Sequence, residues 1–450
     1  MTAALGSLLL GYDIGIISGA IIPIRDQLGL SHTQIEIMTS SLLFTSVIGS
    51  IIAGAVADMI GRRKGLLIAS LIFGGGSIGM ACSDSFEELL TWRCITGIAV
   101  GMGLVICPIF CAELSPRRMR GALTSFNELF INVGIPLAYL VGLLLRGSSR
   151  DDWRWMLGSG SIPALALFFA TMFLPESPSW LLKHGQQDRA RIVVENLVHP
   201  SESPNVRATT VKLTLQEMRE DMKAHASMAS WSEMLFTPDN RPALLVGVGF
   251  AAFQQLIGLD SLIFYSVYSL THYGVSETTA LQVTLVMGLL KLLFTIITTQ
   301  LVDVSGIGRR WPLLVGAGGC VLGMFIMAIA TSFPVSHLTS GVFVCGILLF
   351  VSAFGLGYGP MCWLILAEMF QGPFRSKGLS LGSLANRGSS FLVVSTYLSM
   401  VHAISLSNTF LVYMAVCVIA MAFSYWFIPE LQGKKIGSDA RLKLRKACCM

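Results

Sequence analysis

Long stretches without a charged residue constrain this chain more than any other feature. They run over residues 37–57, 94–112, 155–175, 312–367 and 388–429. About 20 predominantly apolar residues are enough for a helix to cross a bilayer. Because 53% of the 450 residues are hydrophobic and only 13% are charged, the sequence predicts an all-α polytopic protein embedded in the lipid bilayer. An ordinary soluble protein and a nucleic-acid-binding protein are both excluded by this composition.

Charge clusters divide the apolar sequence into twelve segments, six on each side of a polar stretch with helix-like patterns. This division predicts four parts. They are an N-terminal six-helix half at 1–182, a helical linker at 183–241, a C-terminal six-helix half at 242–430 and a basic tail at 431–450.

The basic residues indicate how the chain is oriented. If the linker is cytoplasmic, the short loops on its side and the tail carry sixteen Lys and Arg residues, against four in the opposite loops. Cytoplasmic loops are enriched in Lys and Arg. We therefore expect a multi-pass protein with the linker and both termini in the cytoplasm. The plasma membrane is the expected location, although the charges do not distinguish one host membrane from another.

Loop motifs of the first half recur in the second half. Glu113 and Arg120 reappear as Glu368 and Arg375, both 255 residues later, and Glu176 reappears as Glu430 after 254 residues. Because this offset crosses six spans, the two halves are predicted to be parallel repeats, with a substrate site between them.

These duplicated charges lie at the linker-side ends of helices, where carboxylates and guanidinium groups can form bidentate bonds between neighbouring helices. We interpret them as a gate that closes in one state and separates in another, the alternative being that they only anchor the topology. The predicted gating residues are Asp58, Arg62, Arg63, Glu113, Arg120, Glu176, Asp303, Arg309, Arg310, Glu368, Arg375 and Glu430.

Six charged residues fall inside the apolar segments, and they comprise three acids and three bases. Charges inside a membrane span usually face the protein interior and are paired. These residues are Asp13, Arg93, Glu128, Asp260, Lys291 and Arg387.

Several motifs occur in order along nearly the whole chain. They are residues 11–20, residues 61–63, Arg93 with Gly97, residues 113–121, residues 175–181, Gln254 with Gln255, Gly359 with Pro360, and Pro429 with Glu430. Together they resemble the sugar porter family of the major facilitator superfamily. The resemblance implies the major-facilitator fold, with twelve transmembrane helices in two parallel six-helix repeats, and sugar transport by alternating access.

The resemblance also implies roles for individual residues. Gln254, Gln255, Trp363 and Asn386 match sugar-contacting positions, and Phe354 and Tyr265 are expected to line the site. Asp13 and Arg93 match a helix 1 to helix 4 pair that couples proton movement in symporters of this family. A static structural ion pair is the alternative for these two residues.

The sequence departs from the family pattern at four cavity positions, and we include three of them, Glu128, Asp260 and Lys291, among the predicted substrate-binding residues. Glu128, Asp260, Lys291 and Arg387 stand where relatives usually have neutral side chains. We hypothesise that Asp260 pairs with Lys291, and, as a weaker suggestion, that Glu128 pairs with Arg387. A charged cavity leaves the identity of the sugar open.

The leading interpretation is a transporter of a glucose-like hexose, with a sugar or polyol as its small-molecule partner and a proton as a possible second one. A polyol or inositol proton symporter and a non-transporting sugar receptor are the alternatives. No catalytic constellation, cofactor motif or metal-ligand spacing is present in the sequence. We therefore expect no enzyme activity, no cofactor and no metal, and a monomeric functional unit.

Overall fold

The computed structural model describes residues 5–115, 120–147, 151–197, 204–226, 234–235, 241–302, 308–370, 375–428 and 430. The regular elements of this part of the chain are helices. The first half contains α1 (Leu5–Leu28), α2 (His32–Ile60), α3 (Arg62–Ala81), α4 (Phe86–Leu114), α5 (Arg120–Leu145) and α6, which consists of the consecutive pieces Asp152–Gly158 and Ser161–Met172.

The second half contains two broken spans. Its elements are α7 (Arg241–Leu256, Leu259–Phe264 and Ser266–His272), α8 (Glu277–Leu301), α9 (Arg310–Ser332), α10 (His337–Leu356 and Tyr358–Met369), α11 (Arg375–Ile404) and α12 (Leu406–Phe427).

Eleven of these twelve segments are long and apolar enough to cross a membrane. The exception, α11, has 30 residues, and at 1.5 Å per residue it is about 45 Å long. Its serines, glycines and basic residues lower its hydropathy, but it packs inside the bundle against α2 and α7. The predicted six-plus-six architecture is therefore confirmed.

Linker helices cover one end of the first half. They span Pro178–Lys183, Gln187–Leu197 and Pro204–Ala226. The indole Nε1 of Trp180 donates to the carbonyl of Asp58 at 2.9 Å, and the Lys183 ammonium lies 3.0 Å from the Asp58 carboxylate. We call this end of the bundle the linker side and the opposite end the far side.

Serine caps fix most of the helix starts on the far side. In each case the serine hydroxyl accepts a hydrogen bond from the backbone N–H three residues later, which satisfies one of the free donors at a helix N-terminus. The capped helices are α2 (Ser31), α4 (Ser85), α8 (Ser276), α10 (Ser336) and α12 (Ser405). Short capped turns therefore connect the spans on this side.

Helix packing repeats after six helices. In the first half α1 packs on α5, α2 on α4, and α3 on α6, and in the second half α7 packs on α11, α8 on α10, and α9 on α12. The halves meet where α2 contacts α11, α5 contacts α8, and α1 contacts α7. A shift by six helices takes α2 to α8 and α11 to α5, so that it turns the α2–α11 contact into the α8–α5 contact. The halves are therefore related as parallel repeats, as the sequence predicted.

Candidate functional site

A charge network closes the linker-side end of the first half. Arg62 donates from Nε and Nη2 to the two oxygens of Glu113, at 2.9 and 3.1 Å, and from Nη1 to the carbonyl of Ala57 at 2.9 Å. One oxygen of Glu176 accepts from the backbone N–H groups of Arg62 and Arg63, at 2.8 and 3.1 Å. This network ties α2, α3, α4 and the end of α6 together.

The same network is built in the second half. Arg309 donates from Nε and Nη2 to Glu368, at 3.2 and 3.1 Å, and from Nη1 to the carbonyl of Val302 at 2.6 Å. Glu430 accepts from the backbone N–H groups of Arg309 and Arg310, at 2.8 and 3.1 Å. The duplicated sequence motifs therefore form duplicated structures.

Each network depends on a glycine. Gly61 has φ +101° and Gly308 has φ +71°, a region that residues with a side chain rarely adopt. A Cβ at Gly61 would lie 2.3 Å from Glu176 Oε2, and one at Gly308 would lie 2.2 Å from Glu430 Oε2. The carboxylate occupies the space that a side chain would need.

The predicted gating residues thus fall into two clusters, each of which stays within one half. Asp58 joins the first cluster through a 3.1 Å bond from Arg62. Asp303 and the side chains of Arg120 and Arg375 lie outside the described residues. Alternating access changes contacts between the halves, whereas the described contacts of each cluster join helices of one half. Gating by these groups therefore stays a prediction.

A cavity lies between the halves near the middle of the bundle. Residues from α1 and α5 line one wall, and residues from α7, α8, α10 and α11 line the other. The lining consists of Leu10, Ile14, Glu128, Ile131, Ile135, Gln254, Gln255, Leu259, Asp260, Ile263, Lys291, Phe354, Trp363 and Arg387. Seven of the nine predicted substrate-binding residues are therefore brought together.

Helix breaks position the polar residues of this cavity. α7 is interrupted at Gly258, whose φ is +93°, between the Gln254–Gln255 pair and Asp260. α10 is interrupted at Gly357, between Phe354 and Trp363. Transporter sites are typically formed by such discontinuous helices near the bilayer midplane.

The Asn386 side chain lies behind the lining and organises it. Its Nδ2 donates to Gln254 Oε1 at 2.6 Å, and its Oδ1 accepts from Gln255 at 3.4 Å and from Arg387 at 2.9 Å. Gln254 in turn donates to the carbonyls of Tyr358 and Gly359, just after the break in α10. Asn386 was expected to contact sugar, but in this state it is fully buried and positions its neighbours.

Tyr265 lies outside the cavity lining, contrary to expectation. Its ring stacks on Tyr397 with centroids 5.3 Å apart, and its hydroxyl donates to the carbonyl of Val394 at 3.1 Å. The residue follows the last turn of the middle piece of α7 and faces α11. Packing between these two helices therefore accounts for Tyr265.

The four unusual charges share the cavity but form no ion pair with one another. Asp260 accepts a hydrogen bond from Ser390, and no nitrogen of Lys291 or Arg387 lies within 4.0 Å of an oxygen of Asp260 or Glu128. The hypothesised Asp260–Lys291 and Glu128–Arg387 contacts are thus not formed in this state.

Contacts between the halves seal the far side of the cavity. Ser18 on α1 bonds Ser266 on α7 at 2.8 Å, and Tyr139 on α5 donates to the carbonyl of Ile263 at 3.2 Å. Ser18 and Tyr139 each lie about one helical turn beyond the last lining residue of their helix, Ile14 and Ile135. These contacts form a ceiling over the cavity.

Asp13 and Arg93 form the predicted pair between α1 and α4. Arg93 Nη1 lies 3.0 Å from Asp13 Oδ1, and the two side chains are 0% and 2% exposed. Asp13 Oδ2 and Arg93 Nε and Nη2 have no hydrogen-bond partner in the described structure. A buried pair with unmet hydrogen-bonding capacity is sensitive to any change in charge or separation.

Comparison with known proteins identifies the family. Residues 1–438 match the family of sugar (and other) transporters. The chain belongs to the sugar transporter family. It is 36% identical over 444 residues to "Probable polyol transporter 4" of Arabidopsis thaliana, covering 96% of this chain and 82% of the relative.

Solved structures show the same fold. The xylose transporter XylE from E. coli, in a partially occluded inward-open conformation, superposes with a TM-score of 0.82 and 27% identity, covering 97% of this chain and 98% of XylE. The proton:xylose symporter XylE bound to 6-bromo-6-deoxy-D-glucose gives a TM-score of 0.77 and 26% identity, covering 99% and 97%. This sugar transporter therefore has the major-facilitator fold, as predicted.

Two latches on the far side of this sugar transporter were missed by sequence reasoning. Glu277, at the start of α8, bonds Arg146, at the end of α5, at 2.6 Å. Glu36, near the start of α2, accepts from the backbone N–H of Ser399, near the end of α11, at 2.7 Å, and from its hydroxyl. The sequence offers one signal for these latches, which is an acidic residue near the start of the second helix of each repeat.

The Arg146 latch also involves Asp152, whose carboxylate lies 3.0 Å from the guanidinium. Partial burial lowers the pKa of the Arg146 guanidinium, but the hydrogen bonds and charges of Glu277 and Asp152 outweigh this effect and raise the pKa above its usual value. Arg146 therefore keeps its positive charge at physiological pH.

Proposed function

We propose that this chain moves a monosaccharide, glucose-like in size, across the plasma membrane by alternating access, together with a proton. The cavity between the halves, sealed on the far side by the Ser18–Ser266 and Tyr139–Ile263 contacts, is the observation that carries the proposal. The functional unit is the monomer, because one chain supplies both walls of the cavity.

The structure corresponds to one end of the transport cycle. Among the described residues, the hydrogen bonds that join the halves lie between the membrane middle and the far side, whereas the two linker-side networks stay within their halves. Sixteen basic residues on the linker side favour its placement in the cytoplasm. The cavity would then face inward, and the return step would open the Glu36 and Glu277 latches.

Proton coupling would occur at Asp13. Protonation of this carboxylate removes one charge of a buried pair and leaves the Arg93 guanidinium uncompensated, which is unfavourable in an apolar surrounding. Helix α1 also supplies two cavity residues, Leu10 and Ile14, and Ser18 of the ceiling. A shift of α1 on protonation would therefore reach both the substrate and the far-side contacts. XylE, a structural neighbour, is a proton:xylose symporter.

Uptake by purified protein in proteoliposomes tests the proposal. Labelled hexoses, xylose and linear polyols are offered outside, and the radioactivity inside is measured after filtration against protein-free liposomes. We expect saturable uptake of at least one monosaccharide. Binding without uptake would favour a receptor, and uptake of polyols alone would replace monosaccharides as the substrate class.

A further inference from the structure

Two of the four cavity charges are poorly satisfied by the protein. Lys291 is 6% exposed and makes no hydrogen bond or ion pair in the described structure, its ammonium lying 5.8 Å from the centre of the Phe354 ring. Glu128 accepts a single hydrogen bond, from Asn132 at 3.5 Å. Lys291 is buried and Glu128 is partly exposed. Because a charge with few hydrogen-bond partners is costly in such a place, both groups are available to a ligand in the cavity.

The other two charges have better partners. Asp260 accepts from Ser390, and the Arg387 guanidinium donates twice to Asn386, at 3.2 and 2.9 Å. These bonds hold both side chains against the wall of the second half. The unmet hydrogen bonding is therefore concentrated on Glu128 and Lys291.

Glu128 and Lys291 face each other across the two halves. They lie on α5 and α8, which pack together at the interface between the halves, and both side chains line the same cavity. Their nitrogen and oxygen atoms are nevertheless more than 4.0 Å apart. A hydroxyl that accepts from an ammonium and donates to a carboxylate spans about 4.5–5.5 Å between those atoms.

The charge balance decides which ligand group suits this gap. Two acids and two bases make the lining neutral overall, so an acidic ligand would bring an unbalanced negative charge close to Glu128 and Asp260. A hydroxyl satisfies both groups at once, since it is a donor and an acceptor. We propose that Glu128 and Lys291 bind one substrate hydroxyl between them and thereby select neutral sugars over acidic ones.

This inference rests on the proposed transport function and assigns two specificity-determining residues to it. A bound hydroxyl would also connect α5 of one half to α8 of the other. Substrate would then draw the halves together, which favours the occluded state in which the cavity changes sides.

Transport of monodeoxy sugars by two variants tests the proposal. Wild type, Lys291→Met and Glu128→Gln are reconstituted, and kcat/KM is measured for the transported sugar and for each monodeoxy analogue. Lys212→Met, an exposed lysine of the linker, is the matched control. Hydrogen bonds to charged groups contribute about 1.5–3 kcal/mol, so removing the bridging hydroxyl should lower wild-type kcat/KM roughly 10- to 100-fold.

In both variants the same deoxy analogue should cost clearly less than in the wild type, because Lys291→Met removes one of the two partners of that hydroxyl and Glu128→Gln removes the charge of the other. If each monodeoxy analogue lowers kcat/KM by the same factor in the variants as in the wild type, the bridge is refuted. Faster wild-type uptake of the matching uronic acid would also overturn it, because Lys291 would then bind a carboxylate.

The outcomes separate this inference from the proposed function. If wild type takes up no sugar, the transport proposal fails; if it takes up sugar with unchanged deoxy penalties in the variants, only the bridge fails. Gel filtration and sugar-dependent thermal stabilisation establish that each variant is folded. If Lys291→Met does not fold, Glu128→Gln alone decides the question by the same comparison.

Discussion

Weakening both far-side latches should shift the protein toward a conformation that is open on the far side. The perturbation is the double variant Glu36→Gln with Glu277→Gln. Arg146 and Glu277 are 26% and 29% exposed, and a pair exposed to this extent contributes about 1 kcal/mol. Glu36 is 3% exposed, and losing one of its two hydrogen bonds as a charged acceptor costs about 1.5 kcal/mol.

Together these losses amount to about 2.5 kcal/mol, which corresponds to a roughly 70-fold change in the ratio of the two conformations. The change falls only on the conformation that is closed on the far side, because both latches join the halves there. Such a shift converts a minor population open on the far side, of about 1%, into one of about 40%.

The assay is a distance measurement between spin labels at positions 33 and 403, on the far-side ends of α2 and α11, in a cysteine-free background. We expect a second, longer distance in the double variant. Glu87→Gln, an exposed acid in the first turn of α4, is the control and should leave the distribution unchanged. An unchanged distribution in the double variant would refute the latch assignment.

Two further predictions concern the linker side. Glu113→Ala should impair transport, because Arg62 loses its bidentate partner, while surface expression is retained. Normal transport by this variant would refute the gating interpretation. Gly308→Ala should lower the free energy of unfolding by about 1–3 kcal/mol, because the new Cβ would lie 2.2 Å from the Glu430 carboxylate. In the same thermal unfolding assay Gly318→Ala should be nearly neutral, since nothing lies within 4 Å of a Cβ there.

The sequence was sufficient to predict the architecture, because charges in a membrane protein are scarce and their positions report topology. The repeat visible in the residues predicted bonds among the duplicated linker-side charges, and the structure showed that Arg62 pairs with Glu113 and Arg309 with Glu368. The balance of buried charges indicated pairing, and the family resemblance named Asp13 and Arg93 as partners. These features follow from short motifs and their spacing along the chain, which can be recognised without the three-dimensional structure.

The details of the cavity could not be predicted in the same way. Tyr265 and Asn386 lie on the correct helices, but their direction depends on the break at Gly258 and on packing between α7 and α11. The Glu36 latch joins residues 363 positions apart, and its partner is a backbone N–H group that leaves no signal in the sequence. Contacts between the halves also depend on the conformational state, which no sequence pattern specifies.

Accumulation of sugar against its gradient tests the central claim most directly. Proteoliposomes with an interior one pH unit more alkaline than the outside are given the transported sugar, with the membrane potential clamped. One pH unit is worth about 1.4 kcal/mol per proton, so one-to-one coupling predicts roughly tenfold accumulation by the wild type. Asp13→Asn should accumulate none while still exchanging sugar across the membrane. Wild-type protein that only equilibrates the sugar, or an Asp13→Asn variant that still accumulates it, would contradict the account.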